Sequence, residues 1–277
     1  MKFGRVNYQG NEYYGIIRDG KFCEVPGIQR NDMGFENFAL LKELNISELE
    51  ASFDLNNENL TWLPPVARPS KIICVGRNYL KHVLEVGKAA EDKPILFTKY
   101  SDSLVPHMSE IDFPSHGQYL DYEVELAVVI GKTATHVRLS EQPLDYVLGF
   151  TIANDLTMRD VQKSEKQWTR GKAFDQSLPI GPWIITVDEL KEYKNRDIWL
   201  TVNGDKRQLN STSNMIFDVE FLIRFITEAI TLNPGDIILT GTPEGVGFYM
   251  DPVSTLQSGD QISCGVIGIG ELRFSIK

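Results

Sequence analysis

Three acids alternate through the stretch LDYEVELAVVIG: Asp121, Glu123 and Glu125. In a strand, alternate side chains share a face, so these carboxylates line up about 7 Å apart. The other face carries Tyr122, Val124, Leu126, Val128 and Ile130, and beyond Glu125 the acidic face itself turns apolar with Ala127 and Val129. The acids therefore sit at the end of a strand buried on both sides, where like charges and desolvation both raise the cost of ionisation. Something positive belongs between them. A fourth acid, Asp155, follows the apolar run VLGFTIA in ANDLTMRD. Two strand-end carboxylates and a third from a neighbouring strand form a hard, all-oxygen donor set suited to Mg²⁺, Mn²⁺ or Ca²⁺ and not to zinc. Three protein ligands leave coordination positions open for water and substrate, as a catalytic site requires.

Further groups could do chemistry beside such a site. In CVGRNYLKHVLEVG, His82 and Glu85 stand three apart, which puts them on one face of a helical turn. A carboxylate beside an imidazole fixes its tautomer and stabilises its protonated form, the arrangement of a general base. Lys172 lies in WTRGKAFDQSLPIGPWI, a glycine-containing loop with aromatic neighbours, where it could hold an anionic oxygen. The small residues of ILTGTPEGVGF allow close backbone approach, either to a ligand or within a tight turn. His107, His116 and His136 have no partner at diagnostic spacing and receive no metal role. Dinucleotide, P-loop, nucleophile-elbow and HExxH signatures are missing.

The elements that must position these residues are mostly strands. From Lys71 onward short β-branched runs (KIICVG, PILFTKY, EVELAVVIG, VLGFTIAND, PWIITV, IWLTVNG, DIILTG, QISCGVIG, ELRFSIK) are bounded by Gly, Pro or Asp. One helix interrupts them: Val219, Leu222, Ile223, Ile226 and Ile230 keep helical spacing until Asn233-Pro234-Gly235. Many strands and few helices predict a closed or rolled mixed β structure. Ahead of it, residues 1–65 read as a small N-terminal α+β domain, with short strands and a helix near 37–44. The proline-rich WLPPVARPS is taken as its boundary with a catalytic domain over 66–277.

The 277 residues carry a net charge of −10, which argues against a nucleic-acid partner and leaves an anionic substrate to be held by local cations. No apolar run approaches membrane-spanning length and the N-terminus lacks a secretory h-region, so a cytoplasmic protein without a membrane partner is expected. Three scattered cysteines fit reduced thiols.

Taken in order, GRNYLKHVLE, PILFTKYSDSLV, LDYEVELAVVIG, ANDLTMRDVQ, WTRGKAFDQSLPIGPWI, LTVNGDKRQ and ILTGTPEGVGF resemble the fumarylacetoacetate hydrolase family, over about residues 70–277, and within it the acylpyruvate hydrolase and oxaloacetate decarboxylase branch. The resemblance implies a mixed β-roll or β-sandwich, mainly β, usually in a homodimer. It implies one Mg²⁺ or Mn²⁺ held by Glu123, Glu125 and Asp155, a catalytic dyad at His82 and Glu85 on a segment that orders on binding, and an active-site lysine at Lys172. It also implies substrate contacts at Arg77, Gln162 and Thr242. The leading expectation is hydrolysis of the C–C bond of a 2,4-diketo acid of the acylpyruvate or fumarylpyruvate type. In it, His82 activates a water and pyruvate leaves as an enolate whose charge the metal stabilises. Oxaloacetate decarboxylation, or isomerisation or hydration of a dienoic keto acid, would use the same site.

Overall fold

The computed structural model describes residues 1–25, 49–190 and 192–277; the helix expected near 37–44 lies outside them. The N-terminal strands are β1 (Lys2–Tyr8), β2 (Asn11–Arg18), β3 (Lys21–Glu24), β4 (Phe53–Asp54) and β5 (Leu60–Leu63). There follow β6 (Ile72–Gly76), helix α1 (Leu80–Glu85), β7 (Ile95–Lys99), β8 (Leu104–Val105), β9 (Ser109–Ile111), β10 (Leu120–Asp121) and β11 (Val124–Ile130). Then come β12 (Val147–Asn154), β13 (Thr157–Met158), α2 (Arg159–Ser164), α3 (Thr169–Lys172), β14 (Leu178–Thr186) and α4 (Val187–Leu190). The chain ends with β15 (Asp197–Val202), β16 (Asp205–Ser211), α5 (Val219–Thr227), β17 (Ile237–Leu239), β18 (Gln261–Val266) and β19 (Gly270–Ile276).

The fold is mainly β, as expected, but the sheets do not close. The large sheet runs β4-β3-β2-β1-β14-β12-β11-β17-β6-β7, with β5 on β1 and β8 on β14, and ends at β4 and β7. A second sheet, β16-β15-β18-β19-β9, packs on it across one extended core. Every residue of β11 is buried, which explains its unbroken apolar run after Glu125: a strand covered on both faces has no solvent side to alternate with. The β15–β16 turn at Asn203-Gly204 takes positive φ at both positions (52° and 86°), the geometry of a two-residue hairpin, so the sequence after IWLTVNG returns as a strand. Helix α5 starts where Asp218 caps it, its Oδ1 accepting from Phe221 N–H, and buries Val219, Leu222, Ile223 and Ile226. It stops at Thr227, so Ile230, predicted to continue the helical face, falls beyond the helix and is part-exposed.

The N-terminal strands have small cores of their own, Phe3 with Ile16 and Val25, and Val6 with Phe22 and Leu60. They also continue the main sheet, because β1 pairs with β14 at Lys2↔Ile185 and Phe3↔Ile184. Part of the proline-rich connector is itself a strand: Trp62 and Leu63 of β5 pair with Val6 and Arg5. Trp62 packs its ring edge-on to His107, whose Nδ1 accepts a hydrogen bond from the Arg273 N–H of β19 at 3.0 Å.

Burial pushes His107 down to about 4, with the Arg273 charge adding to the effect. The folded protein therefore keeps His107 neutral where the unfolded chain, titrating near 6.5, takes up a proton. Stability from this residue is complete above pH 6.5 and falls as pH drops toward 4, by about 2–3 kcal/mol. Urea unfolding at a series of pH values should show this slope in the wild type, and His107→Gln should remove that part of it.

Candidate metal centre and active site

Register brings the acids together. β11 and β12 pair antiparallel at Val124↔Asn154 and Glu125↔Ala153, so one step further Asp155 comes opposite Glu123, and Asp155 N–H donates to Glu123 O at 2.8 Å. Carboxylate oxygens of Glu123, Glu125 and Asp155 lie within 4.8 Å of one another, and all three side chains are buried. The three residues assigned to a metal are thus one cluster.

The positive charge that the strand demanded comes from three side chains. Lys172 Nζ on α3 lies 2.9 Å from Glu123 Oε2 and 2.6 Å from Asp155 Oδ2. Lys99 Nζ, at the end of β7, lies 2.8 Å from Asp155 Oδ1 and donates to the Ser177 carbonyl at 3.0 Å. Arg159, opening α2, places Nη2 2.7 Å from Glu123 Oε1 and Nε 2.8 Å from Asp121 Oδ2. Sequence reading found Lys172 but missed Lys99 and Arg159. The acidic face called for positive charge, but nothing local marked the lysine of PILFTKY or the arginine of NDLTMRD as its source.

Asp121, first of the alternating acids, is not in the oxygen cluster. It anchors: its carboxylate accepts from Arg159 and from the N–H groups of Tyr122, Gly247 and Phe248. Four buried carboxylates (Asp121, Glu123, Glu125, Asp155) thus meet three buried cations, leaving one negative charge over. It falls on Glu125. That side chain has no ion pair among the described residues and accepts from Gly241 N–H at 2.5 Å. Burial, then the Asp155 and Glu123 charges, push its carboxyl well above the ordinary carboxylate range. Glu123 is also desolvated, but Lys172 and Arg159 outweigh that and hold it down at about 2.

These features fit a divalent cation. Carboxylate oxygens of Glu123, Glu125 and Asp155 converge within 4.8 Å, and Glu125 is a buried carboxylate without an ion pair among the described residues. An all-oxygen donor set with one surplus charge suits Mg²⁺ or Mn²⁺.

Beside the acids opens a cavity of about 330 Å³, whose lining includes Arg77, His82, Glu123, Gln162, Lys172 and Thr242. The structure therefore brings together every sequence-assigned residue except Glu125, Asp155 and Glu85, which stand directly behind those that line it. His82 and Glu85 share a face of α1, as expected, with His82 Nδ1 2.9 Å from Glu85 Oε2. Glu85 Oε1 in turn accepts from Gly245 N–H at 2.8 Å. A carboxylate can only accept, so Nδ1 is the donor of this bond, and Nε2 is the ring nitrogen not engaged by Glu85. Gln162 Oε1 accepts from Arg159, and Thr242 Oγ1 accepts from Gln208 Nε2 at 2.8 Å. Gln208 is a buried support that sequence reading missed; it also accepts from Val124 N–H.

The glycine loop at 238–248 approaches carboxylates. Gly241 N–H donates to Glu125, Gly245 N–H to Glu85 and Gly247 N–H to Asp121. Gly241 has φ +95°, and a Cβ there would lie 2.7 Å from Asn78 Cβ, so only glycine passes.

Residues 71–277 match the family model described as fumarylacetoacetate (FAA) hydrolase, C-terminal. The chain belongs to the fumarylacetoacetate hydrolase family. It is 40% identical over 218 residues, 78% of this chain and 69% of the other, to the Homo sapiens protein named oxaloacetate tautomerase FAHD2A, mitochondrial. Among solved structures it resembles fumarylacetoacetate hydrolase from psychrophilic Exiguobacterium antarcticum (35% identity, TM-score 0.85, 100% of this chain and 99% of that one). It also resembles 5-carboxymethyl-2-hydroxymuconate delta-isomerase from Mycobacterium smegmatis (31%, 0.79, covering 100% and 98%). Fumarylpyruvate hydrolase from Pseudomonas aeruginosa, in complex with Mn²⁺ and pyruvate, matches over 75% of this chain and 89% of that one (31%, TM-score 0.68). These relatives are enzymes of one family, and so is this chain.

Because Glu125 is a desolvated acid with a raised pKa, it destabilises the metal-free protein above the ordinary carboxyl range, where the unfolded chain ionises it freely. Glu125→Gln should therefore raise the thermal midpoint of chelator-stripped protein at neutral pH, with the gain shrinking as pH falls below 4.5. The same variant should lose the stabilisation that Mn²⁺ gives the wild type, its calorimetric affinity falling by about a hundredfold.

Proposed function

We propose that this enzyme moves a proton at the carbon beside the keto group of a small 2-keto acid, interconverting its keto and enol forms, with oxaloacetate as the leading substrate. The observation that carries the proposal is the His82–Glu85 pair at the cavity wall: one ring nitrogen is committed to a carboxylate, and the other would serve as the proton acceptor. A relative at 40% identity is named an oxaloacetate tautomerase, which supports the substrate.

The residues divide the work. Glu123, Glu125 and Asp155 would hold one Mg²⁺ or Mn²⁺, which supplies a Lewis acid for the keto acid's oxygens. Lys172 pairs with Glu123 and Asp155 and would present positive charge where the keto oxygen becomes an oxyanion. His82 would take the proton from the carbon, the C–H pair becoming the new C=C bond and the C=O π pair moving onto oxygen. The His82 imidazolium, directly or through a water, then returns the proton to that oxygen to give the enol hydroxyl. Glu85 stabilises the imidazolium that forms. Arg77, Gln162 and Thr242 line the cavity where the substrate would be oriented.

A second reading is hydrolysis of an acylpyruvate, supported by the Mn²⁺ and pyruvate complex of the fumarylpyruvate hydrolase relative and by a cavity of about 330 Å³, roomier than oxaloacetate requires. It uses the same base on a water. The proposal also includes residues 1–65 as a small N-terminal domain, supported by their separate cores. A reducing, cytoplasmic setting is supported by three buried unpaired thiols, and a homodimer follows from the family resemblance. Among the described residues no helix is long and apolar enough to cross a membrane.

The test is a panel of enol-oxaloacetate, acetylpyruvate and fumarylpyruvate with metal-stripped protein, before and after adding Mg²⁺ or Mn²⁺. Metal-dependent loss of the enol absorbance without CO₂ or pyruvate release supports the tautomerase. Pyruvate release from the diketo acids selects the hydrolase, and CO₂ from oxaloacetate a decarboxylase. His82→Asn should lower kcat about 10²- to 10⁴-fold while leaving Mn²⁺ affinity unchanged.

A further inference from the structure

The cavity that serves the site is cationic in a protein of net charge −10. Five of its lining side chains are Lys or Arg, against the carboxylates of Glu123 and Glu165. Most of that charge is answered. Arg159 and Lys172 are bound to the buried acids, Arg77 pairs with Glu91 at 3.3 Å, and Glu165 is taken by Arg170 at 2.5 Å. Lys88 and Lys163 line the cavity with no ion pair among the described residues.

Neither lysine is placed at random. Lys163 lies one turn along α2 from Arg159 and next to Gln162, so helical spacing puts it on the face that serves the site. Its ammonium sits 4.7 Å from the Phe248 ring centroid and 5.6 Å from that of Tyr249, on the turn that Asp121 holds through Gly247 N–H and Phe248 N–H. Lys88 follows α1, whose end is closed by Gly87 at φ +67° donating to Leu84 O, and by Lys88 N–H donating to Val83 O. That cap ties Lys88 to the helix that carries His82.

The charge count points the same way. With all four carboxylates ionised, as metal binding would require, the cluster has one surplus negative charge; a divalent ion would make it one positive, which the first carboxylate of a 2-keto acid would neutralise. The two mouth lysines then remain for another anion. We propose that Lys88 and Lys163 form a subsite for a second carboxylate at the far end of the substrate, so that the enzyme selects 2-keto dicarboxylic acids over monocarboxylic ones. This rests on the 2-keto acid reading above.

Calorimetric titration of the Mn²⁺-loaded protein with matched pairs, 2-oxoglutarate against 2-oxovalerate and 2-oxoadipate against 2-oxohexanoate, tests it without requiring turnover. In at least one pair the dicarboxylate should bind about tenfold tighter at low ionic strength. The gap should narrow as salt shortens the screening length. The double variant Lys88→Gln/Lys163→Gln, at two exposed positions, should bind the monocarboxylate as the wild type does and lose the preference. Equal binding within both pairs, or a preference that survives in the double variant, overturns the subsite and leaves the 2-keto acid reading standing. Failure of all four ligands to bind in the presence of metal overturns both.

Discussion

The structure is organised around a buried charge imbalance. Three cations are packed among four carboxylates, all buried and set beside the cavity, and each ion on its own would be costly to desolvate. Lys172 bridges Glu123 and Asp155, Arg159 bridges Glu123 and Asp121, and Lys99 reaches Asp155 from the far side. The side chains come from β7, the β10–β11 region, the end of β12, α2 and α3, so the cluster can assemble only when the large sheet and its two short helices are in register. The one carboxylate left without a cation, Glu125, is what gives the cluster an appetite for a metal.

Backbone N–H groups complete what the cations leave undone. The loop after β17 sends Gly241 to Glu125, Gly245 to Glu85 and Gly247 to Asp121. One loop thus fixes the proposed metal ligand Glu125, the carboxylate paired with His82, and the anchor of Arg159. Donors aimed at carboxylates keep ionised groups tolerable where water is excluded. Glycine is needed because the backbone must come closer than a Cβ permits, as Gly241 does against Asn78. Asn78 in turn bonds both Phe217 N–H and the Thr240 carbonyl, so the start of α1 is pinned to the same loop that holds Glu85.

Chemistry follows from this division. A buried acid cluster defines where a keto acid would be gripped, while His82 approaches from α1, a six-residue helix whose Leu80, Lys81 and Leu84 are exposed, and Lys88 from the turn that closes it. The fixed half suits charge stabilisation, which depends on preorganised partners. On the proposed reading the base stands on α1 and a mouth lysine just after it, so the acid–base group is carried by the more exposed element.

Much was legible in the sequence because the signals were local. Alternation in LDYEVELAVVIG put the acids on one face, the His82–Glu85 spacing put both on one helical turn, and the absence of a solvent side to β11 showed in its apolar run. The order of motifs gave the family. Three things required the tertiary structure. The partners of the acids, Lys99 and Arg159, come from other elements, and a charge deficit on one strand says that a cation is needed without saying which. Asp121 alternates perfectly with Glu123 and Glu125 yet serves as an anchor, because only strand register decides which carboxylates converge. The proline-rich stretch at 62–70 reads as a domain boundary, and only the structure shows that β1 also pairs with both β5 and β14, so that the N-terminal strands continue the main sheet. Proline density reports local stiffness, whereas sheet membership is fixed by pairing between residues far apart in the chain.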